Sequence, residues 1–391
     1  MRIIILYSSF LKKLDLDRLG YNYFNSKGFE TIVLNVTKLV NKKYFLNASK
    51  HLDVKNEVFI DDYNHFNNEI LKFSKKPSLI ISFLHLNENT YKLFEIISNN
   101  KIVYAQSLIN VIPDINFEKK NILKKIIHFK LKNTFFFILN IYYKFIRSKF
   151  VNIKSPNYII AGGDYSIKHP QAQLMDQSSK LIWAHSFDYD QFLNLNKKSE
   201  INIDEEYAVF YESPYPLFKN DIYIEGIENT LTIEKFYPSI CKFFTYIEKK
   251  FNIKIIIAAH PQSKHLSNKV YGNRQIVSGK TADITKFCKF VILRNSTAIT
   301  FPVLWKKPML FYTTNEIMTS KFMTGNLEVF TKFFSKKAFN IDSNLDELDL
   351  HKELIIDNSI YESYIKHFIK CKNFNELSLW EIFLDGINEY K

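Results

Sequence analysis

The sequence predicts an α/β fold of two doubly wound, Rossmann-like domains that face each other across a cleft. Short apolar runs typical of buried strands alternate with longer runs that have helical periodicity. This alternation stops at a polar stretch, residues 193–206, and then restarts. Because strands that are apolar on both faces belong to parallel sheets covered by helices, each half of the chain predicts one such sheet.

The first half of the chain contains six predicted strands. The run RIIILYS is followed by a helix at 14–28 that ends at Gly28, and a second helix at 87–100 separates two later strands. The strands lie at 2–8, 31–36, 78–86, 101–107, 157–163 and 180–186. Together these elements predict an N-terminal domain at residues 1–192.

The second half repeats the pattern after the predicted linker at 193–206. Pro238 marks the start of the main part of its first helix. Strands are predicted at 206–213, 254–261, 289–294 and 307–313, and helices at 230–252, 281–288, 296–305 and 377–390. The sequence therefore predicts a C-terminal domain at 207–375 and a terminal helix within 376–391.

Composition and charge limit the class of protein. The chain has 391 residues, 46% hydrophobic and 24% charged, so it can bury a large core and is not disordered. Its net charge of +13 suits nucleic acid, anionic lipid or phosphorylated substrates. The three cysteines form no CxxC pair, which indicates a reducing compartment. No apolar run is long enough for a signal peptide or a membrane span, so we expect a cytoplasmic protein.

A basic segment at 117–153 contains nine Lys or Arg residues against one acidic residue, Glu118. Apolar residues are interleaved with these charges, a pattern typical of helices that lie on anionic membrane surfaces. This interpretation would place the protein peripherally on the inner face of the membrane, where lipid-linked glycan acceptors occur. The alternative is a solvated helix packed on the N-terminal domain. No nucleic-acid-binding signature accompanies the charge.

Two short motifs follow predicted strands of the second half. His260-Pro261 ends the run IKIIIAA, where the imidazole could donate a hydrogen bond to a phosphate. Asn295-Ser296-Thr297 lies between a strand and a helix, where hydroxyls and free N–H groups suit an anion. The alternatives are a turn with a surface histidine and a simple helix cap. We expect the two motifs to lie at neighbouring strand ends of one sheet. Gly279, before the next helix, would add a third segment with a flexible backbone.

The pair of motifs resembles those of bacterial sialyltransferases, polysialyltransferases and Kdo-type transferases of the GT-B fold, over roughly residues 254–315. The resemblance implies an inverting, metal-independent glycosyltransferase whose donor is a CMP-linked acidic sugar and whose acceptor is a surface glycan. It implies no cofactor beyond that donor. His260 would contact the phosphate or the cytidine, and Ser296 and Thr297 the phosphate. The remaining residues assigned to nucleotide binding are Pro261, Ser263, Gly279 and Asn295.

The sequence departs from these families in the acidic motif that supplies their base, because Asp61-Asp62 is followed by Tyr63 and not by glycine. Other groups are therefore candidates for proton transfer. They are Asp164 in AGGDYS, and His185 and Asp188 in WAHSFDYD, with Glu212 as a weaker one. The alternatives are a helix-capping aspartate and a hinge turn. Asp188 and Asp190 form a DYD sequence that could also bind a metal ion.

Other functions fit the same patterns. A CDP-glycerol-type glycerophosphotransferase shares a similar layout of the two motifs, and a UDP- or GDP-sugar glycosyltransferase or a sugar-nucleotide 2-epimerase would use the same fold. Outside the enzymes, the charge permits a nucleic-acid-binding or membrane-binding protein.

Overall fold

The computed structural model describes residues 1–47, 52–114, 153–197, 206–213, 215–216, 230–260, 263, 268–371 and 376–388. The chain divides into two units. Unit 1 comprises Met1–Val111, Ile115–His185 and Leu377–Lys391, and unit 2 comprises Ile112–Asp114 and Ser186–Glu376. Nearly all of the basic segment predicted at 117–153 lies outside the described residues, so its membrane role stays a prediction.

Unit 1 contains a seven-stranded parallel sheet in the order β3-β2-β1-β4-β5-β6-β7. Its register places Leu6 beside Leu34 on one side and beside Ser82 on the other. The strands are β1 Arg2–Tyr7, β2 Glu30–Asn35, β3 Glu57–Phe59, β4 Ser78–Ser82, β5 Val103–Leu108, β6 Tyr158–Ala161 and β7 Lys180–Trp183.

Unit 2 contains a six-stranded parallel sheet in the order β10-β9-β8-β11-β12-β13. Its strands are β8 Tyr207–Tyr211, β9 Lys254–Ala259, β10 Ile276–Ser278, β11 Val291–Leu293, β12 Met309–Thr313 and β13 Phe339–Asn340. The predicted fold class, two α/β domains with parallel doubly wound sheets, is confirmed.

Helices connect the strands in both units. They are α1 Lys13–Arg18, α2 Tyr21–Ser26, α3 Thr37–Val40, α4 Lys42–Asn47, α5 Tyr63–Ser74, α6 Tyr91–Asn99, α7 Phe187–Lys197, α8 Ile233–Phe251, α9 Thr281–Phe287, α10 Thr300–Leu304, α11 Asn315–Thr319, α12 Lys321–Phe333, α13 Leu350–Glu353, α14 Asn358–Tyr364 and α15 Leu379–Asn388. Short 3-10 turns lie at Pro170–Ala172, Asn268–Tyr271, Thr297–Ile299 and Leu345–Glu347, and a π-helical turn at Ile365–Ile369. Helix α7 continues to Lys197, so the first part of the predicted 193–206 linker is helical.

The core of unit 1 lies on the faces of its sheet. The four side chains of Ile3–Leu6 in β1 are fully buried, as expected for a strand covered on both faces. Phe66 of α5 and Phe94 of α6 are also fully buried in the same cluster as Ile80. Burial of one such side chain stabilises the fold by about 1.5–3 kcal/mol.

The C-terminal helix α15 packs within unit 1. Trp380 is 2% exposed, and its ring centroid lies 5.2 Å from that of Phe24 and 6.1 Å from that of Phe83. Its indole Nε1 donates to the carbonyl oxygen of Asp17 at 3.3 Å. The last helix of the chain therefore completes the N-terminal unit.

The core of unit 2 is aromatic. The ring of Phe210 in β8 lies 4.9 Å from that of Phe244 in α8 and 6.1 Å from that of Tyr271, measured between centroids. Helix α8 is amphipathic and begins at Ile233, so Pro238 lies inside it and does not mark its start.

Each sheet has one point at which the strand order reverses. In unit 1 this point lies between β1 and β4, and in unit 2 it lies between β8 and β11. Ligands of doubly wound folds bind beyond the carboxyl ends of the strands at such a point. Residues 83–85 follow β4 directly, and residues 294–296 follow β11 directly.

None of the helices that the structure describes is long and apolar enough to cross a membrane.

Candidate functional site

Glu212, directly after β8, joins the ends of two strands in unit 2. Its Oε2 accepts a hydrogen bond from the backbone N–H of His260 at 2.8 Å, and its Oε1 accepts one from the Tyr271 hydroxyl at 2.7 Å. The side chain is 8% exposed. Glu212 therefore fixes the turn that follows β9, where the His-Pro motif begins.

Burial raises the pKa of Glu212 above its ordinary value, and nearby donors oppose that shift in part. These donors are the Tyr271 hydroxyl and the N–H of His260. Both donors lie within residues 260–271, distant from Glu212 in the sequence, so the carboxyl group ties the end of β8 to the segment that follows β9.

We expect Glu212→Gln to lower the free energy of unfolding by about 1–3 kcal/mol, because an amide keeps one acceptor oxygen and leaves one buried donor without a partner. For a unit of this size, that corresponds to a fall in Tm of roughly 2–4 °C per kcal/mol. Thermal unfolding measures the effect, and the exposed Glu328→Gln is the matched control. An unchanged Tm for Glu212→Gln would contradict this role.

Arg294 follows β11 at the reversal point of the unit 2 sheet and is 5% exposed. Its Nη2 donates to Ser213 Oγ at 2.8 Å, and its Nε donates to Asn295 Oδ1 at 3.0 Å. Its Nη1 lies 3.7 Å from the sulfur of Met323, and the guanidinium stands 5.8 Å from the ring centroid of Tyr215. All of these partners are neutral.

Among the described residues, the buried charge of Arg294 has no counter-charge. No carboxylate lies within 4.0 Å of it among the residues that the structure describes. Burial lowers the pKa of Arg294, yet an arginine side chain stays protonated in proteins. A buried unpaired charge is unfavourable, and such groups in proteins are paired with an anion. The reversal point therefore offers a preformed partner for an anionic ligand.

Ser296 begins the 3-10 turn that leads into α10. Its Oγ accepts a hydrogen bond from the N–H of Ala298 at 3.2 Å, so it caps this turn. The hydroxyl proton stays available for donation. Asn295 is half-buried and Thr297 is exposed. These side chains stand directly after Arg294, so the predicted nucleotide-binding residues and the buried cation share one strand end.

The His-Pro motif and the Asn-Ser-Thr motif are not at neighbouring strand ends. His260 follows β9 and Ser296 follows β11, and β8 lies between these two strands. The prediction that the two motifs lie at adjacent strand ends was wrong. After β10 the chain crosses past β9 and β8, so β11 pairs with β8 and not with β9. Two strand spacings separate the motifs by roughly 10 Å. Glu212, at the end of the intervening strand, fills that gap.

The other predicted nucleotide-binding residues have separate positions. Ser263 is 1% exposed, and its N–H donates to the His260 carbonyl at 2.7 Å. Gly279 follows β10, is exposed, and has φ of +71°, a conformation that favours glycine. Pro261 lies outside the described residues.

The three predicted proton-transfer residues lie after β6 and β7. Asp164 stands in the turn after β6. His185 is fully buried, and its Nε2 lies 3.0 Å from the carbonyl oxygen of Leu377. Asp188, 3% exposed, lies in the first turn of α7 in unit 2, whereas Asp164 and His185 belong to unit 1. Asp190 lies in the same turn of α7, two residues further on, and side chains so spaced on a helix do not face each other.

A cavity of about 550 Å³ lies beyond the ends of β12 and β13. Acidic side chains dominate its charged lining, with one lysine, Lys235. The acidic residues are Glu234, Glu316 and Asp342. This excess of negative charge disfavours a phosphate, so the anion site at Arg294 is the better candidate in unit 2.

Comparison with known proteins supports the fold. No protein-family model matches the sequence, and no curated protein matches it. The S. aureus protein MnaA, solved with UDP, is similar in structure, with 11% identity, a TM-score of 0.50, and coverage of 100% of this chain and 97% of that chain. A UDP-GlcNAc 2-epimerase from Methanocaldococcus jannaschii has 11% identity, a TM-score of 0.49 and full coverage of both chains. The two-domain architecture is of the GT-B type that the sequence predicted.

Sequence reasoning missed the central groups of this site. Arg294 directly precedes the predicted Asn-Ser-Thr motif, and nothing in the local sequence marks it as buried. Tyr271 and Ser213 carry no local signal, since their role depends on contacts with Glu212 and Arg294.

Proposed function

We propose that the protein is a glycosyltransferase whose nucleotide-sugar donor binds with its phosphate at Arg294. The observation that supports this proposal is the buried guanidinium at the reversal point of the unit 2 sheet, which has no carboxylate partner among the residues that the structure describes. A donor phosphate would supply the missing negative charge. Arginine suits this task because its planar fork of donors matches phosphate oxygens.

The neighbouring groups would complete the phosphate site. Ser296 and Thr297 offer hydroxyl donors directly after Arg294, and His260 offers an imidazole beyond β8. During transfer the bond between the anomeric carbon and the phosphate oxygen breaks, and negative charge grows on that oxygen. Fixed donors and a buried cation stabilise the charge without further reorganisation.

We further propose that the donor is a CMP-linked acidic sugar and that the acceptor is a surface glycan. The similarity of the His-Pro and Asn-Ser-Thr motifs to those of CMP-sugar transferases supports this assignment. The net charge of +13 also suits an acidic donor sugar and an anionic acceptor. UDP is the main competing nucleotide, because MnaA, which has a similar fold, was solved with UDP.

A nucleotide screen by thermal shift tests the proposal. We expect CMP to raise Tm, and CDP, UDP and GDP to raise it less at equal concentration. A ligand at 100 times its Kd stabilises the native state by about 2.7 kcal/mol, which is measurable as several degrees. His260→Ala should reduce the CMP shift, and His351→Ala, an exposed histidine on α13, is the matched control.

The outcomes separate the alternatives. A shift with UDP alone would replace the CMP assignment with a UDP-sugar enzyme, and release of free sugar without an acceptor would identify an epimerase. A shift with CDP alone would indicate a CDP-alcohol transferase. No shift with any nucleotide would contradict the proposed function.

A further inference from the structure

Exposed leucines and lysines lie together on the part of unit 1 that follows β1 and β2. Leu46 is 69% exposed, and Leu14 and Leu52 are each 38% exposed. The lysines on the same segments are exposed as well, and they are Lys12, Lys13, Lys42, Lys43 and Lys55. These leucines and lysines are called the lysine–leucine surface below.

A cluster of aromatic side chains supports the helix that carries Leu46. The ring of Phe10, which follows β1, lies 5.5 Å from that of Phe45 in α4 and 6.2 Å from that of Phe59 in β3, measured between centroids. The rings of Phe45 and Phe59 lie 6.4 Å apart. Leu46 directly follows Phe45, so the cluster fixes its position on the outside of unit 1.

Backbone contacts join the other two leucines to the same surface. The N–H of Leu52 donates to the carbonyl oxygen of Leu11 at 2.9 Å, and Leu14 lies in α1, three residues after Leu11. The Tyr21 hydroxyl donates to the carbonyl oxygen of Lys55. The segment at 52–55 is therefore tied to the segment that contains α1, and the leucines belong to one surface.

Positive charge exceeds negative charge on the segments that form this surface. Their acidic residues are Asp15, Asp17 and Asp53. Asp15 Oδ2 accepts a hydrogen bond from the N–H of Lys12 at 2.8 Å, and Asp17 Oδ1 accepts one from Asn22 Nδ2 at 2.7 Å. Two of the three carboxylates thus make hydrogen bonds within their own segment, and the lysines outnumber the acidic residues.

Exposed leucines among lysines match the interface of an anionic lipid bilayer. A leucine side chain gains free energy when it leaves water, and a lysine can lay its methylene stem along apolar groups while its ammonium stays at the level of the headgroups. Anionic headgroups attract each lysine in addition. A second copy of the chain is a less suitable partner, because both copies carry a net charge of +13 and repel each other.

We propose that the lysine–leucine surface binds anionic membranes, with Leu46 inserted among the lipid headgroups and the lysines beside the lipid phosphates. The surface consists of described residues of unit 1 and is separate from the basic segment predicted at 117–153. The inference does not depend on the proposed transferase function. For a transferase, it would place unit 1 against the membrane that carries a lipid-linked acceptor.

Sedimentation with vesicles measures the binding. The whole chain is mixed, without nucleotide, with vesicles of phosphatidylcholine and phosphatidylglycerol in equal parts, or of phosphatidylcholine alone, and we expect it to bind the mixed vesicles only. Leu46→Ser should weaken this binding about tenfold, because the variant loses the transfer of a leucine side chain out of water. The substitution changes no charge, so attraction through other basic segments stays the same. Ile355→Ser, at a residue of unit 2 that is 65% exposed, is the matched control and should bind like the wild type.

Two further sets of variants identify the side chains at the membrane. Lys42→Gln should weaken binding about fivefold, the usual contribution of one lysine at an anionic surface, whereas Lys249→Gln, exposed near the end of α8, should not. Tryptophan emission shifts to the blue when the indole leaves water. With mixed vesicles, Leu46→Trp should show a blue shift beyond that of the wild type, and Ile355→Trp should show none.

A wild-type Tm for Leu46→Ser shows that this variant is folded, as expected for an exposed position. The inference is overturned if the wild type binds neither kind of vesicle, or if Leu46→Ser binds as tightly as the wild type and Leu46→Trp shows no blue shift. A dimer of the wild type that Leu46→Ser dissociates, without any binding to vesicles, would instead make this surface an interface between copies. Failure of the proposed transferase function is recognised separately, in the nucleotide screen, because none of these measurements uses a nucleotide.

Discussion

Replacement of Arg294 by methionine should weaken CMP binding by roughly 10- to 150-fold, the range that corresponds to loss of a hydrogen bond to a charged group. The same change should leave Tm unchanged or raise it. Arg294 is 5% exposed and lacks a carboxylate partner among the described residues. An apolar side chain of similar length removes an unfavourable buried charge and keeps much of the packing.

Two measurements distinguish ligand binding from a structural role. CMP and cytidine are titrated in parallel, and we expect Arg294→Met to affect CMP only, because cytidine lacks the phosphate. Arg274→Met is the matched control, since Arg274 is paired with Glu248 at 2.6 Å. That variant should lose stability and keep its affinity for CMP. A lower Tm for Arg294→Met with unchanged CMP affinity would show that Arg294 only holds the strand ends together.

The sheets could be predicted because their strands carry a strong local signal. RIIILY is apolar on both faces, and such a run is compatible with little other than a buried parallel strand. The restart of the pattern in YAVFY predicted a second sheet for the same reason. The order of the strands is not a local property. The position of β8 between β9 and β11 follows from crossovers, and it decides which motifs are neighbours.

The end of β4 was hidden by an apolar run that continues past the strand. SLIISFLHL predicts a strand over 78–86, whereas β4 ends at Ser82. Phe83 and Leu84 are apolar because they pack in the core of unit 1 although they lie in a loop, and Leu84 is 2% exposed. His85 therefore lies beyond the strand. The pattern of apolar residues could not show where the strand ends, because it continues through the loop.

Arg294 was missed for a different reason. A charged residue after a strand is usually exposed, and nothing within KFVILRNST indicates otherwise. Its burial depends on Ser213, Tyr215 and Met323, which lie far away in the sequence. Predictions of buried charges need tertiary contacts, whereas predictions of buried strands need only local composition.

Replacement of Trp380 by alanine should lower the free energy of unfolding of unit 1 by about 3–5 kcal/mol, the range for loss of a buried large aromatic side chain. Trp380 packs on Phe24 at 5.2 Å and on Phe83 at 6.1 Å, and it donates to the Asp17 carbonyl. Denaturant unfolding measures the loss. Ile355→Ala, at a position that is 65% exposed, is the control and should change stability by less than about 0.5 kcal/mol.

Trp380→Phe should restore most of the stability of unit 1, because an aromatic ring still packs against Phe24 and Phe83 and only the hydrogen bond to the Asp17 carbonyl is lost. A Trp380→Ala variant as stable as the wild type would contradict the role of the C-terminal helix in completing unit 1.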